Sequence, residues 1–294
     1  MTRPDVTVVI RTLNEARWIE ECIDRVRDQE ADAEAEIVVV DSASTDDTVA
    51  RAAGRDARIL EIPREAFTYA SALNLGFEAA SAPLVVSLSA HALPADRGWL
   101  GPLLAAFDDP EVVGVCSREV PHDDADVHER ARLASRFESG AETFRKDADG
   151  VEPPGIFFTN VSSCVRRSVW AEAPWPELPY GEDFAWAWAR VAEGHAVRYE
   201  PASCVVHSHA ESMGRRVARE LAWHRALGMV RGRPVGVREA VWNARHRVRL
   251  GSGWAWRNVP GLGGRLYWSA YHAAKEARFL AGVLSLKARG DERS

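Results

Sequence analysis

The sequence predicts an α/β protein: a mostly parallel central sheet flanked by helices, followed by a carboxyl-terminal helical extension. Three observations carry that expectation. Short apolar, β-branched runs alternate with amphipathic segments through the first 120 residues, the rhythm of crossover units on a parallel sheet. Polar clusters stand at the carboxyl ends of those runs, where open α/β sheets bind ligands. Beyond Met213 the chain turns into basic helices studded with tryptophan.

Val6–Ile10 reads as the first strand, and Asn14 is placed to cap the helix that buries Trp18, Cys22, Ile23 and Val26 on one face. Glu36–Asp41 is a second strand, after which Ser44 and Asp47 have capping-box spacing. Arg58–Ile62 is a weaker third strand, and a helix then carries Ala72, Leu73, Asn74, Phe77 and Ala80. Leu84–Leu88 is a fourth strand, buried on both faces, that ends abruptly in Ser89-Ala90-His91. Trp99–Phe107 is helical and Val112–Cys116 extended. Residues 121–154 form an acidic insertion with a weak helix through Arg130–Phe144. Gly155–Val165 returns to strand chemistry, interrupted by Asn160, Ser162 and Ser163. A proline-rich loop delivers Glu182-Asp183 to the start of a helix, and two strands follow, Val197–Tyr199 and Cys204–Val206, ending in His207-Ser208-His209. Domain boundaries fall at 1–212 and 213–294.

The net charge of −6 conceals a division. Residues 213–289 hold 16 Lys and Arg against 3 acids, leaving 21 basic and 40 acidic residues elsewhere. Such a tail suits either a peripheral contact with an anionic bilayer or a cap that docks on the acidic body or forms a homodimer; nucleic acid is not expected as a partner. The four cysteines lack metal-ligand spacing and read as buried thiols. With no signal-peptide core at the start and no apolar run of about 18 residues, the expected location is cytoplasmic, with any membrane contact peripheral at the inner face. No GxGxxG or GxxxxGKS is present, which argues against dinucleotide oxidoreductases and P-loop enzymes.

Taken alone, Asp41 reads equally as a ligand for ribose or base donors and as a helix cap. In order, however, the motifs are specific. Val6–Asn14 resembles the opening strand and turn of family 2 glycosyltransferases, with Arg11 in the usual proline position and Leu13 in the tyrosine position. Asp41–Thr48 is similar to their Asp-Ser block, Ala72–Gly76 to their A-x-N-x-G helix, and Pro179–Asp183 to their acidic segment. The similarity runs from about residue 6 to 210 and looks closest to bacterial rhamnosyltransferase-like members.

The resemblance implies a GT-A fold and inverting transfer of a hexosyl or deoxyhexosyl group from a UDP- or dTDP-linked donor. The acceptor would be a glycan, a lipid-linked carrier or a small molecule, as in polysaccharide or glycoconjugate biosynthesis. It implies that Thr12, Asn14 and Asp41 hold the nucleoside, with Asn74 near the diphosphate; Glu15, Ser42, Ser89 and His91 complete the expected nucleotide-sugar-binding set. Asp183 would be the general base, with Glu182 beside it as a brace or a ligand for acceptor hydroxyls. Family members usually hold a divalent cation with Asp-x-Asp at the end of the fourth strand, where this chain has Ser89-Ala90-His91. Two readings follow. A cation (manganese or magnesium) is held by His91 with His207 or His209, or His91 and nearby arginines meet the diphosphate directly. The competing functional readings are a nucleotide-sugar-binding regulatory or scaffolding subunit without transferase activity, and a sugar-phosphate nucleotidyltransferase. The Arg11–Glu15 turn lacks the latter's glycine-rich loop.

Overall fold

The computed structural model describes residues 4–136, 140–147 and 155–289, so residues 137–139 and 148–154 of the acidic insertion lie outside the described residues. In chain order the elements are β1 (Val6–Thr12), α1 (Ile19–Arg27), β2 (Ala35–Asp41), α2 (Thr48–Ala53), β3 (Arg58–Glu61), α3 (Tyr69–Ala79) and β4 (Leu84–Ser89). Then come β5 (Leu93–Pro94), α4 (Leu100–Ala105), β6 (Val112–Val120), α5 (Val127–Arg136), β7 (Glu142–Phe144), β8 (Ser162–Arg166) and α6 (Arg167–Glu172). The remainder are α7 (Glu182–Ala192), β9 (Ala196–Val206), α8 (Met213–Val230), α9 (Val237–Asn258) and α10 (Leu262–Arg289).

Two compact units result. The first comprises the described residues of Met1–Glu119, Ser139–Leu178 and Glu182–His207; the second, those of Val120–Glu138, Pro179–Gly181 and Ser208–Ser294. The first unit is built on one mixed sheet of order β3-β2-β1-β4-β8-β6-β9-β5, with β7 beside β9. β3, β2, β1 and β4 run parallel, as the crossover rhythm predicts. The pairs β4–β8, β8–β6, β9–β5 and β9–β7 are antiparallel, β8 lying between β4 and β6.

The run Val-Thr-Val-Val-Ile of β1 is fully buried because both faces are covered. Val6, Val8 and Ile10 pack with Ile19, Cys22, Ile23 and Val26 of α1. Val9 points the other way, against α3: a Cβ on Gly76 would stand 2.3 Å from Val9 Cγ1 and 3.0 Å from Val40 Cγ2. α3 starts at a capping box in which Thr68 and Ser71 satisfy one another's backbone N–H groups.

Several local expectations are corrected. Asn14 does not cap α1; it sits in a left-handed turn (φ 55°), and α1 begins five residues later, at Ile19. Ser44 and Asp47 form no capping box either: Asp46 Oδ1 accepts the Thr48 N–H at 3.0 Å, while Ser44 turns back to Asp41. The weak helix of the insertion is described over Val127–Arg136, residues 137–139 of it lie outside the described residues, and residues 142–144 are strand, paired with β9. Nor do two strands follow α7. Ala196–Val206 is one strand through Pro201, which lies between the stretches paired with β7 and with β5 and so costs neither ladder a donor. Gly155–Val161 carries no strand; β8 begins at Ser162.

In the second unit α10 packs on α9 and α8, with Ala240, Ala244, Phe279 and Val283 as its apolar centre. Buried Lys275 pairs with Glu220 and with Glu276 at 2.7 Å, and Glu276 also takes Arg247 at 2.6 Å. No helix among the described residues is long and apolar enough to cross a membrane.

Candidate active site

The parallel register brings the carboxyl ends of β1, β2 and β4 level: Thr12 lies opposite Asp41, and Arg11 opposite Ser89. The two turns that follow β1 and β2 are sewn together. Ser42 N donates to Thr12 O at 3.0 Å, Asn14 N to Ser44 Oγ at 2.8 Å, and Thr45 N to Asn14 Oδ1 at 2.8 Å. Glu15 N donates to Thr48 Oγ1 at 2.8 Å, which fixes the backbone from which the Glu15 carboxylate projects. Ala43 is held at φ 61°, a conformation that costs a non-glycine residue roughly 1–2 kcal/mol and is kept by these bonds.

Asp41 is buried, and its carboxylate accepts the Ser44 N–H at 2.8 Å and the Ser44 hydroxyl. Beside it Thr12 and Ser42 are 4% and 1% exposed, and their buried hydroxyls have no hydrogen-bond partner among the described residues. Buried hydroxyls left in that state point to a ligand that completes them.

After β4 the chain makes a tight turn, Ala92 N donating to Ser89 O at 2.8 Å, and enters β5, whose Leu93 lies opposite Val206 of β9. That pairing is why His91 and His207 meet, although 116 positions separate them in the sequence. Their rings stack with centroids 5.0 Å apart, and ring nitrogens of the two lie within 4.8 Å. Each Nδ1 faces a carboxylate: Glu15 Oε1 at 2.7 Å for His91, Glu119 Oε2 at 2.9 Å for His207. A carboxylate on Nδ1 fixes the tautomer and leaves Nε2 as the basic, ligating nitrogen. His209 stands at the start of the second unit, where its N–H is directed at Glu129 Oε1, 3.4 Å away.

Glu182 and Asp183 open α7, and an aromatic cluster sets where that helix begins. Trp186 packs on Trp175 with centroids 4.9 Å apart, and its Nε1 donates to Ala173 O at 2.8 Å. Asn74, expected near the diphosphate, has its side-chain amide bonded to this cluster. Its Nδ2 donates to Trp175 O at 3.0 Å, and its Oδ1 accepts from Trp170 Nε1 at 3.0 Å and Trp175 N at 3.1 Å. Asn74 thus braces the loop that precedes the acid pair.

Asp183 Oδ1 accepts from Phe184 N at 2.7 Å and Oδ2 from Asn160 N at 3.1 Å. Asn160 in turn ties this carboxylate to the strand ends, its carbonyl accepting from Ser87 Oγ at 2.8 Å and Arg11 Nη2 at 3.2 Å. Glu182 is buried, and burial, then the neighbouring Asp183 charge, push it up to about 7 against the opposing pull of Arg11. Arg11 is steadied by the Tyr69 ring, 5.4 Å from its guanidinium carbon.

Residue types and spacing did not single out three members of this arrangement. Arg11 announces itself only as a cation where the family usually has proline; Asn160 and Glu119 lie in strand or loop surroundings that give a polar side chain no mark. Thr12, Asn14, Glu15, Asp41, Ser42, Ser89, His91 and His207 gather along the strand ends as expected.

Comparison with known proteins agrees with this geometry. The glycosyl transferase family 2 model matches residues 7–171. The chain is 30% identical over 214 residues to the O-antigen chain rhamnosyltransferase WbaN of Salmonella anatum, covering 70% of this chain and 67% of that protein. A pre-mycofactocin glycosyltransferase of Mycobacterium tuberculosis is 28% identical over 227 residues, 74% of this chain and 45% of that one. Among solved structures, a mannosyltransferase from Pyrobaculum calidifontis in complex with GDP-Man and Mn2+ superposes with a TM-score of 0.57 at 21% identity, covering 98% of this chain and 81% of that chain. The M. tuberculosis glucosyl-3-phosphoglycerate synthase, in complex with Mn2+, UDP-glucose and glycerol 3-phosphate, gives 0.54 at 18% identity, covering 79% and 82%. At these identities the structural likeness shows the GT-A fold. The matched family model and the rhamnosyltransferase together place the chain in glycosyl transferase family 2.

Proposed function

We propose that the protein is an inverting glycosyltransferase that moves a hexosyl or deoxyhexosyl group from a nucleotide diphosphate sugar to an acceptor hydroxyl, with Asp183 as general base. The observation that carries this reading is the setting of the acid pair. Asp183 is fixed through both oxygens by backbone N–H groups at a helix start, while buried Glu182 holds its proton to about neutral pH. Burial and the Asp183 charge favour the neutral form of Glu182, and the Asp183 carboxylate, held through both oxygens, is the group placed to take a proton. As the acceptor oxygen attacks the anomeric carbon, Asp183 accepts its proton, a new C–O bond forms, and the bond to the diphosphate breaks on the opposite face. Configuration inverts, and the electron pair leaves on the diphosphate.

At the other side of the strand ends Asp41, with the unsatisfied Thr12 and Ser42 hydroxyls, suits the donor N–H and O–H groups of a nucleoside. The base is uridine or thymidine, and the similarity to a rhamnosyltransferase supports a deoxyhexose within polysaccharide biosynthesis. The acceptor is a glycan, on a lipid carrier or free. A divalent cation fits the histidine pair, because Glu15 and Glu119 direct both Nε2 atoms to ligation; His209, two residues on, is the third candidate. Imidazole donors favour manganese over magnesium. When bound, such a cation neutralises charge on the leaving diphosphate. Ser89, which replaces the first aspartate of the usual motif, adds a hydroxyl there.

The test is transfer and donor hydrolysis across a panel of nucleotide sugars, with manganese or a chelator present, in the native chain, Asp183→Asn and His91→Ala. Asp183→Asn is expected to lower kcat by about 10²–10⁴-fold with donor binding retained. His91→Ala is expected to shift the manganese requirement upward. Full transfer by Asp183→Asn would overturn the mechanism. Donor binding by the native chain without turnover of any donor would favour a regulatory subunit.

A further inference from the structure

We infer that the outward face of α9 and its turn into α10 dock on an anionic lipid surface. α9 has two unlike faces. Its inner one is made of small residues, Ala240, Ala244, Gly251 and Ala255, all buried. Gly251 is needed there: a Cβ would stand 2.4 Å from the His272 ring. Its outer face carries Trp242, Arg245, Arg249, Leu250, Trp256 and Arg257, all exposed, the two tryptophans by 65% and 45%. Trp242, Arg249 and Trp256 recur every seven residues, which on an α-helix returns to within about 20° of the same direction. Tryptophan and arginine therefore share one stripe.

The stripe continues into the turn. Gly261 takes a positive φ of 74°, and α10 then opens with Leu262, Leu266 and Tyr267, exposed by 62%, 53% and 62%. Leu262 and Leu266, four apart, share a face. Arg265 reaches back over the Trp256 ring, 5.8 Å from its centroid, so cation and aromatic are presented side by side at the tip. No aspartate or glutamate occurs between Glu239 and Glu276.

Charge and shape choose the occupant. A second copy of the chain joined by two-fold symmetry would lay this stripe on itself, arginine against arginine, with no acid to answer. A nucleic acid would answer the arginines and leave the three leucines in water. An anionic bilayer answers all of them: guanidinium groups at the phosphates, Trp and Tyr at the interface, leucines among the upper acyl carbons.

Sedimentation of the full chain with phosphatidylcholine vesicles, with and without phosphatidylglycerol, tests this without reference to sugar transfer. Binding is expected to the anionic vesicles at low salt, to weaken at high salt and to be slight on neutral ones. Arg245→Gln with Arg249→Gln should weaken it roughly 25-fold, about fivefold for each basic residue at such a surface. Leu262→Ser with Leu266→Ser should weaken it by roughly tenfold or more while leaving the salt dependence in place. All these side chains are exposed, so an unchanged circular dichroism spectrum and thermal transition confirm that each variant is folded. No binding to anionic vesicles at low salt, equal binding by either double variant, or preference for RNA over vesicles would overturn the inference. A dimer in solution that the arginine variants tighten, and that vesicles do not compete with, would do the same.

Discussion

Glu182 shows how one residue's burial becomes a property of the whole site. Its carboxyl has been taken out of water next to Asp183, so the neutral form is favoured and its proton is held from the ordinary value of 4.5 up to about 7. Within that window the folded chain keeps a proton that the unfolded chain has released. The unfolding free energy therefore falls as pH rises from about 4.5 to 7. Glu182→Gln, a neutral isostere, is expected to remove that fall. Measured by denaturant titration, the variant should gain on the native chain steadily through the window and run parallel to it on either side. Equal slopes through the window would mean that Glu182 ionises freely in the fold. At the same scale, the histidine pair was readable as residues at two strand ends, but the carboxylate behind each was not. Glu119 sits in β6 with nothing in its neighbours to mark it, and only the order of strands in the sheet brings it to His207.

Among the elements, α3 does the most to fix the acid pair while touching none of the reacting groups. One face lies so close on the sheet that Gly76 has no room for a Cβ; Asn74, nearly on the same turn, grips the Trp170 and Trp175 backbone and ring groups. Gly76→Ala therefore sets Val9 and Val40 against an extra methyl. The gain in helix propensity, about 1 kcal/mol, is outweighed by overpacking, and a net loss of about 1–3 kcal/mol is expected from chemical denaturation. Stability equal to or above the native chain would show that α3 can retreat from the sheet. The parallel half of the fold was legible because each strand is a run of β-branched residues whose partners follow from short crossovers. Legibility ended where pairing became long-range. The three residues of β7 carry no strand signal of their own, and Pro201 reads as a strand end until β7 and β5 are seen to pair on either side of it. Asn14 is an apt helix cap by type, yet cross-turn bonds to Ser44 and Thr45 draw it into a left-handed turn that local sequence does not encode.

Across the molecule, the division of charge between acidic body and basic helices has a counterpart in how the two units respond to pH. In the first unit, buried Glu182 costs stability as pH rises toward neutrality. The second unit carries the opposite sign. His128 and His272 are buried with their Nδ1 atoms 3.2 Å apart, and both are driven below the ordinary 6.5, chiefly by burial and then by the Lys275 charge. Arg216, itself buried on Asp126 and Tyr271, adds to the same repulsion. Below 6.5 the unfolded chain takes up protons that the folded pair refuses, so the unfolding free energy falls with falling pH. Glu129 adds to this: although burial alone would raise it, the Arg132 bonds and charge lower it to about 2, so its contribution too drains away below 4.5. Acidification from neutrality should therefore loosen the helical unit first. Amide exchange read by mass spectrometry between pH 7 and 5, corrected for the intrinsic rate, should show opening free energies falling in α8–α10 while those of β1, β2 and β4 hold or rise. Replacing the pair by His128→Gln with His272→Gln should flatten the response of the helices and leave that of the sheet. A uniform fall in both units, or helices indifferent to pH, would show that the pair is not what couples this unit to protons.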